Sequence, residues 1–141
     1  MMQILVSPDA DPAQILRDAK TIAVVGLSPK PERPSFQVAD YLKGVGYEII
    51  PVNPGHDQIL GLRCYPNLDA IPGRVDIVDI FRNSKEVPAI VDSAIRIGAK
   101  VIWMQLGIVH EEAAAKAKAA GLVVIMDRCL MIDHQNYCPH R

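Results

Sequence analysis

The chain has 141 residues, a length that suits a single domain, and half of them are hydrophobic while 22% are charged. That balance can build a buried core and excludes an intrinsically disordered chain. The formal net charge of −1 argues against a nucleic-acid-binding protein, because such proteins usually carry a broad basic excess. No apolar run is long enough to span a bilayer, and the N-terminus lacks the features of a signal peptide.

The three cysteines, Cys64, Cys129 and Cys138, are odd in number and widely spaced. In a reducing compartment such cysteines are most simply free thiols. We therefore expect a cytoplasmic protein that makes no contact with a membrane or with nucleic acid.

Apolar runs rich in valine and isoleucine predict strands that are buried on both faces, as in a parallel sheet. These runs are Thr21–Gly26, Tyr47–Val52, Val75–Ile80, Lys100–Met104 and Leu122–Met126. Between them, helical spacing of apolar residues predicts helices over Ser35–Val45 and Ser84–Ile97, and a high alanine content predicts one over Glu111–Ala120. Asp11 as an N-cap before Pro12 predicts a short leading helix over Asp11–Ala19. The alternation of strand and helix predicts an α/β fold, an open, mostly parallel sheet with helices on both faces.

The whole chain, residues 1–141, is expected to form one domain. Within it, residues 1–20 form a leading helical segment and residues 135–141 a mobile tail. The segment His56–Gly73 is the least regular, and we expect a short edge strand and a short helix there.

Open parallel sheets bind ligands beyond the carboxyl ends of their strands, and the loop after the first strand has the residues of a phosphate-binding loop. Gly26 permits a sharp turn and close approach of a ligand to the backbone. Ser28, Lys30 and Arg33 supply hydroxyl and cationic donors, and Ser35 opens a helix whose N-terminus favours an anion. The loop is neither a GxGxxG fingerprint nor a Walker A motif, so a proline-rich connection with solvated charges is the alternative.

The segments after the next two long strands add further candidates. Asn53 is neutral where a NAD-binding domain typically carries an acidic residue, which favours a phosphorylated ribose; Asn53 and Pro54 also suit a simple turn. Arg82 can make a forked contact to a phosphate. Phe81 can stack on a base or pack in the core.

The last two strands end in Gln105 and Gly107, and in Asp127 and Arg128. Gln105 offers an amide donor and acceptor, and Gly107 permits close backbone approach. Arg128 can meet a phosphate or pair with Asp127, for which we expect a structural role.

Taken together, several stretches resemble the small coenzyme A-binding protein family, which is related to the coenzyme A domain of the succinyl-CoA synthetase α-subunit. The matching stretches are TIAVVGLSPKPERPSFQVADYL, GYEIIPVNP, GLRCYPNL, VDIVDIFRNSKEVPAIVDSAI, GAKVIWMQLGI and DRCLMIDH. They follow the family's order and cover the chain from about Ile15 to His134. The resemblance implies a Rossmann-like fold and coenzyme A, or an acyl-CoA, as the ligand.

The resemblance also implies roles for individual residues. The diphosphate would meet the loop that contains Gly26, Leu27, Ser28, Lys30, Arg33 and Ser35. Asn53 and Pro54 would face the adenosine, Phe81 and Arg82 the far side of the cleft, and Gln105 and Gly107 the pantetheine path. Relatives often carry a basic residue after Val-Asn-Pro, whereas Gly55 and His56 follow here. His56, Arg63 or Arg82 would then hold the ribose phosphate.

No catalytic constellation accompanies these residues. The histidines lack an evident paired base, and Cys129, His134, Cys138 and His140 do not have the spacing of a standard zinc site. We therefore expect a binding module with no catalytic residues and no metal. Two alternatives remain open: an NAD(P)-binding oxidoreductase or redox sensor on the same fold, and the coenzyme A-binding subunit of a split acyl-CoA ligase. The partner is then a small molecule, with a homodimer or a separate ligase-type subunit as a further possibility.

Overall fold

A computed structural model describes residues 11–138. Its main sheet contains five strands, which are β1 (Thr21–Val25), β2 (Glu48–Val52), β5 (Ile77–Ile80), β6 (Val101–Met104) and β7 (Val123–Ile125). All neighbours in it are parallel, in the order β2-β1-β5-β6-β7. Two short strands, β3 (Gln58–Ile59) and β4 (Leu62–Arg63), form a separate antiparallel pair. The predicted α/β fold, Rossmann-like with one parallel sheet, is confirmed, and each long strand lies within its predicted run.

The helices cover both faces of the main sheet. They are α1 (Pro12–Asp18), α2 (Pro34–Gly44), α3 (Val87–Arg96), α4 (Glu111–Ala119) and α5 (Leu130–Tyr137). Buried residues of α3 and α4, such as Val91 and Ala117, share one core cluster with Val78 of the sheet. Buried residues of α1, α2 and α5 contribute to a second cluster on the opposite face. Successive side chains of each strand pack alternately into these two cores, which is why the strands are mostly apolar.

The structure differs from the predicted elements mainly between the long strands and at the C-terminal end. The segment 56–73 holds two short strands and a 3-10 turn, Leu68–Ala70. The helix predicted from Ser84 begins with a 3-10 turn, Ser84–Glu86, and becomes α-helical at Val87. Pro88, in the first turn of α3, supplies no N–H and suits that position.

The C-terminal helix α5 was not predicted, because its pattern of apolar residues is weak. Its inward positions include two polar residues, Asp133 and His134, which are both buried. Residues 135–137, expected in a mobile tail, instead complete this helix, and Cys138 after it is buried. The rest of the expected tail, residues 139–141, and the beginning of the leading segment, residues 1–10, lie outside the described residues.

The single tryptophan of the sequence lies in the main sheet, on the strand next to the central strand β5. Trp103 is fully buried in β6, and its Nε1 donates a hydrogen bond of 2.9 Å to the carbonyl oxygen of Arg128. In the register between β5 and β6, Trp103 is paired with Asp79. In the part of the chain that the structure describes, no helix is long and apolar enough to cross a membrane.

Candidate functional site

The candidate site lies where the order of strands reverses, between β1 and β5. The chain leaves β1 toward β2 on one side and returns to β5 on the other, so the loops at the carboxyl ends of β1 and β5 diverge and leave a crevice. Gly26 follows β1, and Phe81 follows β5. The backbone N–H of Phe81 donates to the carbonyl oxygen of Val25 at 2.8 Å, so the two strands stay paired up to the point where their loops begin.

Gly26 is the tightest point of this crevice. Its φ of +88° falls in the left-handed region, and a Cβ on it would lie 2.7 Å from both the carbonyl oxygen of Phe81 and Cδ of Arg82. Such distances leave no room for a side chain. The glycine that the sequence places here is therefore required by both conformation and space.

A cavity of about 490 Å³, here called the polar cavity, opens beside Gly26. It brings together most of the predicted site residues, and its lining consists of Gly26, Ser28, Pro29, Lys30, Arg33, Pro34, Ser35, Asn53, His56, Phe81 and Arg82. Cations and hydroxyl groups therefore converge at the carboxyl edge of the sheet. Such a set of donors can hold a phosphate.

Three hydrogen bonds hold the loop between β1 and α2 in place. Ser35, at the start of α2, is buried, and its Oγ accepts from the backbone N–H of Ser28 at 2.9 Å. The Oγ of Ser28 accepts from the N–H of Lys30 at 3.1 Å, and Nδ2 of Asn53 donates to the carbonyl oxygen of Leu27 at 2.9 Å. Ser35 and Asn53, which sequence reasoning treated as ligand contacts, thus also shape the loop.

The helix that follows this loop begins with an open N-terminus. Its N-cap residue, Arg33, makes no side-chain cap hydrogen bond. The first backbone N–H groups of a helix have no partner within the helix. They and the positive end of the helix dipole therefore add to the attraction that the polar cavity offers to an anion.

A second cavity, of about 440 Å³, adjoins the first and is mostly apolar. Gly26 and Arg82 line both cavities, so these two residues form the boundary between them. Its lining, which includes the predicted residue Pro54, consists of Val25, Gly26, Val52, Pro54, Pro66, Asn67, Leu68, Arg82, Lys85, Glu86, Ala89, Ile90 and Ser93. Sequence reasoning missed this apolar cavity, because its walls come from the irregular segment after β2 and from α3, and no motif links the two.

Arg82, which was predicted to meet a phosphate, is paired with Glu86 in the structure. Its Nε donates to Oε2 of Glu86 at 3.0 Å, and its Nη2 donates to Oε1 at 2.6 Å. Both side chains are partly exposed. No role was predicted for Glu86 beyond its place in the helix expected over Ser84–Ile97, although its position four residues after Arg82 is a usual spacing for an ion pair.

Gln105 and Gly107 line neither cavity. The Gln105 side chain is buried, and its Nε2 donates a hydrogen bond of 2.6 Å to Oδ1 of Asp79. The backbone N–H of Gly107 donates to Oδ1 of Asp127 at 2.6 Å. Leu27 is also fully buried, and it lines neither cavity.

Asp79 is a buried acid that sequence reasoning did not single out. It lies in β5 with no exposed surface, and its Oδ2 has no hydrogen-bond partner among the described residues. Burial raises the pKa of Asp79 to about 8, although the hydrogen bond from Gln105 acts in the opposite direction. The run Val75–Ile80 predicts a strand from its apolar residues alone. Nothing in the sequence around Asp79 marks this aspartate as part of a site.

The remaining candidates fall outside the two cavities. Arg63 lies over the ring of Tyr65, with its Cζ 5.1 Å from the ring centroid, so only His56 and Arg82 of the suggested holders of a ribose phosphate face the cleft. Arg128 pairs with Asp133 through hydrogen bonds of 2.7 and 2.9 Å rather than with Asp127.

Within residues 11–138, no group of three or more His, Cys, Asp or Glu side chains is placed to hold a metal ion. His140, which the sequence grouped with Cys129, His134 and Cys138, lies outside the described residues.

Comparison with known proteins agrees with this geometry. The family model described as a CoA binding domain matches residues 20–135. The chain belongs to the CoA-binding domain family. The residues that the family model matches include every predicted site residue, and the resemblance drawn from the sequence is confirmed.

Relatives of two kinds share the CoA-binding domain. The uncharacterized protein YneT of Bacillus subtilis is 43% identical over 125 residues, which are 89% of this chain and 93% of that protein. An ADP-forming acetate–CoA ligase of Archaeoglobus fulgidus is 39% identical over 83 residues, which are 57% of this chain but only 12% of the ligase. A hypothetical protein from Pyrococcus horikoshii OT3 has a TM-score of 0.88 at 38% identity, over 97% of this chain and 99% of that one. The domain thus occurs in chains of similar length and within much longer ligases.

Proposed function

We propose that this protein binds coenzyme A or an acyl-CoA in the cleft formed by the polar and apolar cavities. The observation that carries the proposal is Gly26, which lies at the switch point between a cationic cavity and an apolar one. Coenzyme A requires such a pair, because its phosphates need donors and cations whereas its adenine and pantetheine bury apolar surface. Membership of the CoA-binding domain family supports the same ligand.

The lining residues support a specific orientation of the ligand. The diphosphate is assigned to the loop of Gly26, with Lys30, Arg33 and the N-terminus of α2 around it. The adenosine is assigned to the side of Asn53 and Pro54, beside the apolar cavity.

The two remaining ends of the ligand are assigned by the same reasoning. His56 and Arg82, which face the polar cavity, would hold the ribose phosphate, with Phe81 beside them. The pantetheine path past Gln105 and Gly107 remains a prediction. In the structure these residues line neither cavity, and they are hydrogen-bonded to Asp79 and Asp127.

A nicotinamide dinucleotide fits this cleft less well. The acidic residue that typically binds the adenosine ribose of NAD is replaced by Asn53, whose amide is engaged with the carbonyl oxygen of Leu27. No carboxylate lines the polar cavity among the described residues. Within the polar cavity, a phosphorylated ribose therefore meets cations and no carboxylate, which favours coenzyme A over NAD.

Calorimetric titration with coenzyme A, dephospho-coenzyme A and NAD tests the proposal. We expect binding in the order coenzyme A, dephospho-coenzyme A, NAD. Lys30→Ala or Arg33→Ala should weaken coenzyme A binding roughly 5- to 10-fold at low salt, because each removes a charge-assisted contact. The loss should shrink as salt is raised.

The matched control is Lys118→Ala, which removes a cation from α4, away from both cavities. Its affinity should equal that of the unmodified protein. A protein that binds NAD but neither coenzyme A nor its thioesters would refute the proposal. Equal affinity for dephospho-coenzyme A would refute the part that concerns the ribose phosphate.

A second candidate function is that of a CoA-binding subunit of a split ligase. The match to an ADP-forming acetate–CoA ligase over a small fraction of that enzyme's length favours it. This function predicts a stable heteromeric complex in pull-down experiments, and acyl-CoA synthesis only when the partner subunit is present. Purified protein that remains free of such a partner, and cell extracts whose ligase activity is unchanged by its deletion, would count against it.

We also propose that the protein works in the cytoplasm. The three cysteines, Cys64, Cys129 and Cys138, are free thiols, as a reducing compartment requires. Fractionation of cells into cytoplasm and membrane tests this location.

A further inference from the structure

Glu86 is an exception to the charge of the candidate site. Among the described residues that line the two cavities, it is the one carboxylate, and Lys30, Arg33, Arg82 and Lys85 are the cations. A carboxylate in a site for phosphates repels the ligand, unless it acts on a neighbouring cation. The contacts of Glu86 indicate that it acts in this way.

The side chain of Arg82 is fixed at two points. Its Cδ lies under Gly26, at the position where a Cβ on that glycine would come within 2.7 Å. Its guanidinium group is held at Nε and Nη2 by both carboxylate oxygens of Glu86, at 3.0 and 2.6 Å. These two contacts hold the long arginine side chain at the boundary of the two cavities.

One edge of the Arg82 guanidinium remains available to a ligand. Glu86 occupies the edge formed by Nε and Nη2, whereas Nη1 makes no hydrogen bond within the described residues. An arginine has five N–H donors in a planar fork, so its Nη1 and the second hydrogen of Nη2 can still bind two oxygens of a phosphate.

We propose that Glu86 is a positioning residue, which holds Arg82 ready for a forked contact with the phosphomonoester on the ribose of the ligand. The inference rests on the proposed function, because it assigns Arg82 to that phosphate. In the absence of Glu86, Arg82 is free to sample many rotamers, and binding must order it. Glu86 thereby raises the selectivity for coenzyme A over dephospho-coenzyme A.

The test is the ratio of dissociation constants for dephospho-coenzyme A and coenzyme A, measured by calorimetry in Glu86→Gln and Glu86→Asp. Titrations in about 0.5 M salt reduce the Debye length to a few ångströms, which screens the long-range repulsion between Glu86 and the ligand. We expect the ratio to fall about 2- to 5-fold in both variants, through weaker binding of coenzyme A alone. This magnitude is that of a partly exposed ion pair.

The two variants separate geometry from charge. Glu86→Asp keeps the charge but is too short by one methylene to reach both nitrogens in the same way. If it retains the ratio of the unmodified protein, charge alone acts and the positioning role is refuted. Tighter binding of coenzyme A by Glu86→Gln would show that Glu86 competes with the phosphate for Arg82, which also refutes it.

A double-mutant cycle with Arg82→Ala completes the test. Arg82→Ala should lower the ratio further than either Glu86 variant does, with His56 keeping it above one, and adding Glu86→Gln should then have no further effect on it. A full effect of Glu86→Gln in the Arg82→Ala background would overturn the inference. The proposed function fails separately, namely if the unmodified protein binds no coenzyme A at all.

Discussion

The two ends of strand β5 treat buried charge in opposite ways. Asp76, just before the strand, accepts hydrogen bonds from the backbone N–H groups of Lys20 at 2.8 Å and Thr21 at 3.2 Å, and Nζ of Lys100 lies 3.7 Å away. Burial acts to raise the pKa of Asp76, but these donors and the charge of Lys100 outweigh it and lower the pKa. Asp79, three residues later, has Gln105 as its one donor among residues 11–138, and its pKa is raised.

This contrast between Asp76 and Asp79 distinguishes an edge of the sheet that favours stability from an edge that is suited to binding. At the amino edge of the sheet, a charge is held by fixed backbone groups, which makes the structure there more stable and leaves nothing for a ligand to recruit. At the carboxyl edge, Asp79 and Arg82 are instead held by side chains, those of Gln105 and Glu86. A ligand can replace or share such partners, so this edge is suited to binding.

The pH dependence of stability should show this contrast most strongly at Asp79. Its pKa is about 8 in the folded protein and near 3.8 in a model compound, so the folded state keeps a proton that the unfolded chain releases. Stability should therefore fall as the pH rises from about 4 to 8. Asp79→Asn has no such proton, so its stability relative to the unmodified protein should rise by roughly 4 kcal/mol between pH 5 and 8, at about 1.4 kcal/mol per pH unit.

Urea unfolding at pH 5, 6.5 and 8 measures this gain. Asp40→Asn, at an exposed position on α2, is the matched control, and its stability should stay at a constant difference from the unmodified protein. Parallel curves for Asp79→Asn and the unmodified protein would contradict a proton held by Asp79.

The two edges also place different demands on their glycines. Gly26 and Gly98 have φ values of +88° and +74°, but a Cβ on Gly98 would meet no atom within 4 Å. Gly98→Ala should thus cost about 1–2 kcal/mol, the usual penalty for a left-handed alanine. Gly26→Ala should cost about 1–3 kcal/mol more because it overpacks the crevice, and it should abolish coenzyme A binding.

Thermal unfolding and calorimetry of the two variants give the comparison directly. Equal losses of stability, with coenzyme A binding intact in Gly26→Ala, would show that the crevice adapts easily and that the close approach at Gly26 is unimportant.

The smallest effect is expected at Asp76. Asp76→Asn should cost about 1 kcal/mol at pH 7, since it replaces charge-assisted hydrogen bonds to the backbone by neutral ones. Because the pKa of Asp76 is lowered in the folded state, its stabilising effect is complete above the unfolded value near 3.8 and is lost as the pH falls through the folded value.

The stability of the variant and of the unmodified protein should therefore converge in acid, as urea titrations at pH 7 and pH 3 can show. Coenzyme A affinity should be unchanged. A weaker affinity in Asp76→Asn would mean that the amino edge affects the binding cleft.

The main features of the fold were predictable because strand and helix periodicities follow from burial alone. Within the predicted run Thr21–Gly26, the strand Thr21–Val25 is fully buried, and the glycine at the end of the run indicated the turn correctly. The start of α3 and the presence of α5 were harder to predict from the sequence. They depend on the 3-10 turn Ser84–Glu86 and on inward polar residues such as His134, which has tertiary contacts that sequence patterns do not encode.

The candidate site was predictable where one segment supplied it and not where several did. The loop from Gly26 to Ser35 carries its own cations and glycine, and the structure assembles them around one cavity. The apolar cavity joins Pro66 and Leu68 to Ile90, residues that are distant in sequence and individually unremarkable. The Asp79–Gln105 pair likewise depends on the register of two strands, which the sequence leaves open.

The position of Trp103 next to Asp79 gives the molecule an internal optical probe. The sequence contains one tryptophan, and it lies fully buried on the strand that pairs with the acid. Indole emission responds to a charge that forms nearby, so a fluorescence titration without any added label would register loss of the Asp79 proton. The same signal, followed by stopped-flow fluorescence, would measure the rate at which Trp103 and its strand β6 become buried during refolding.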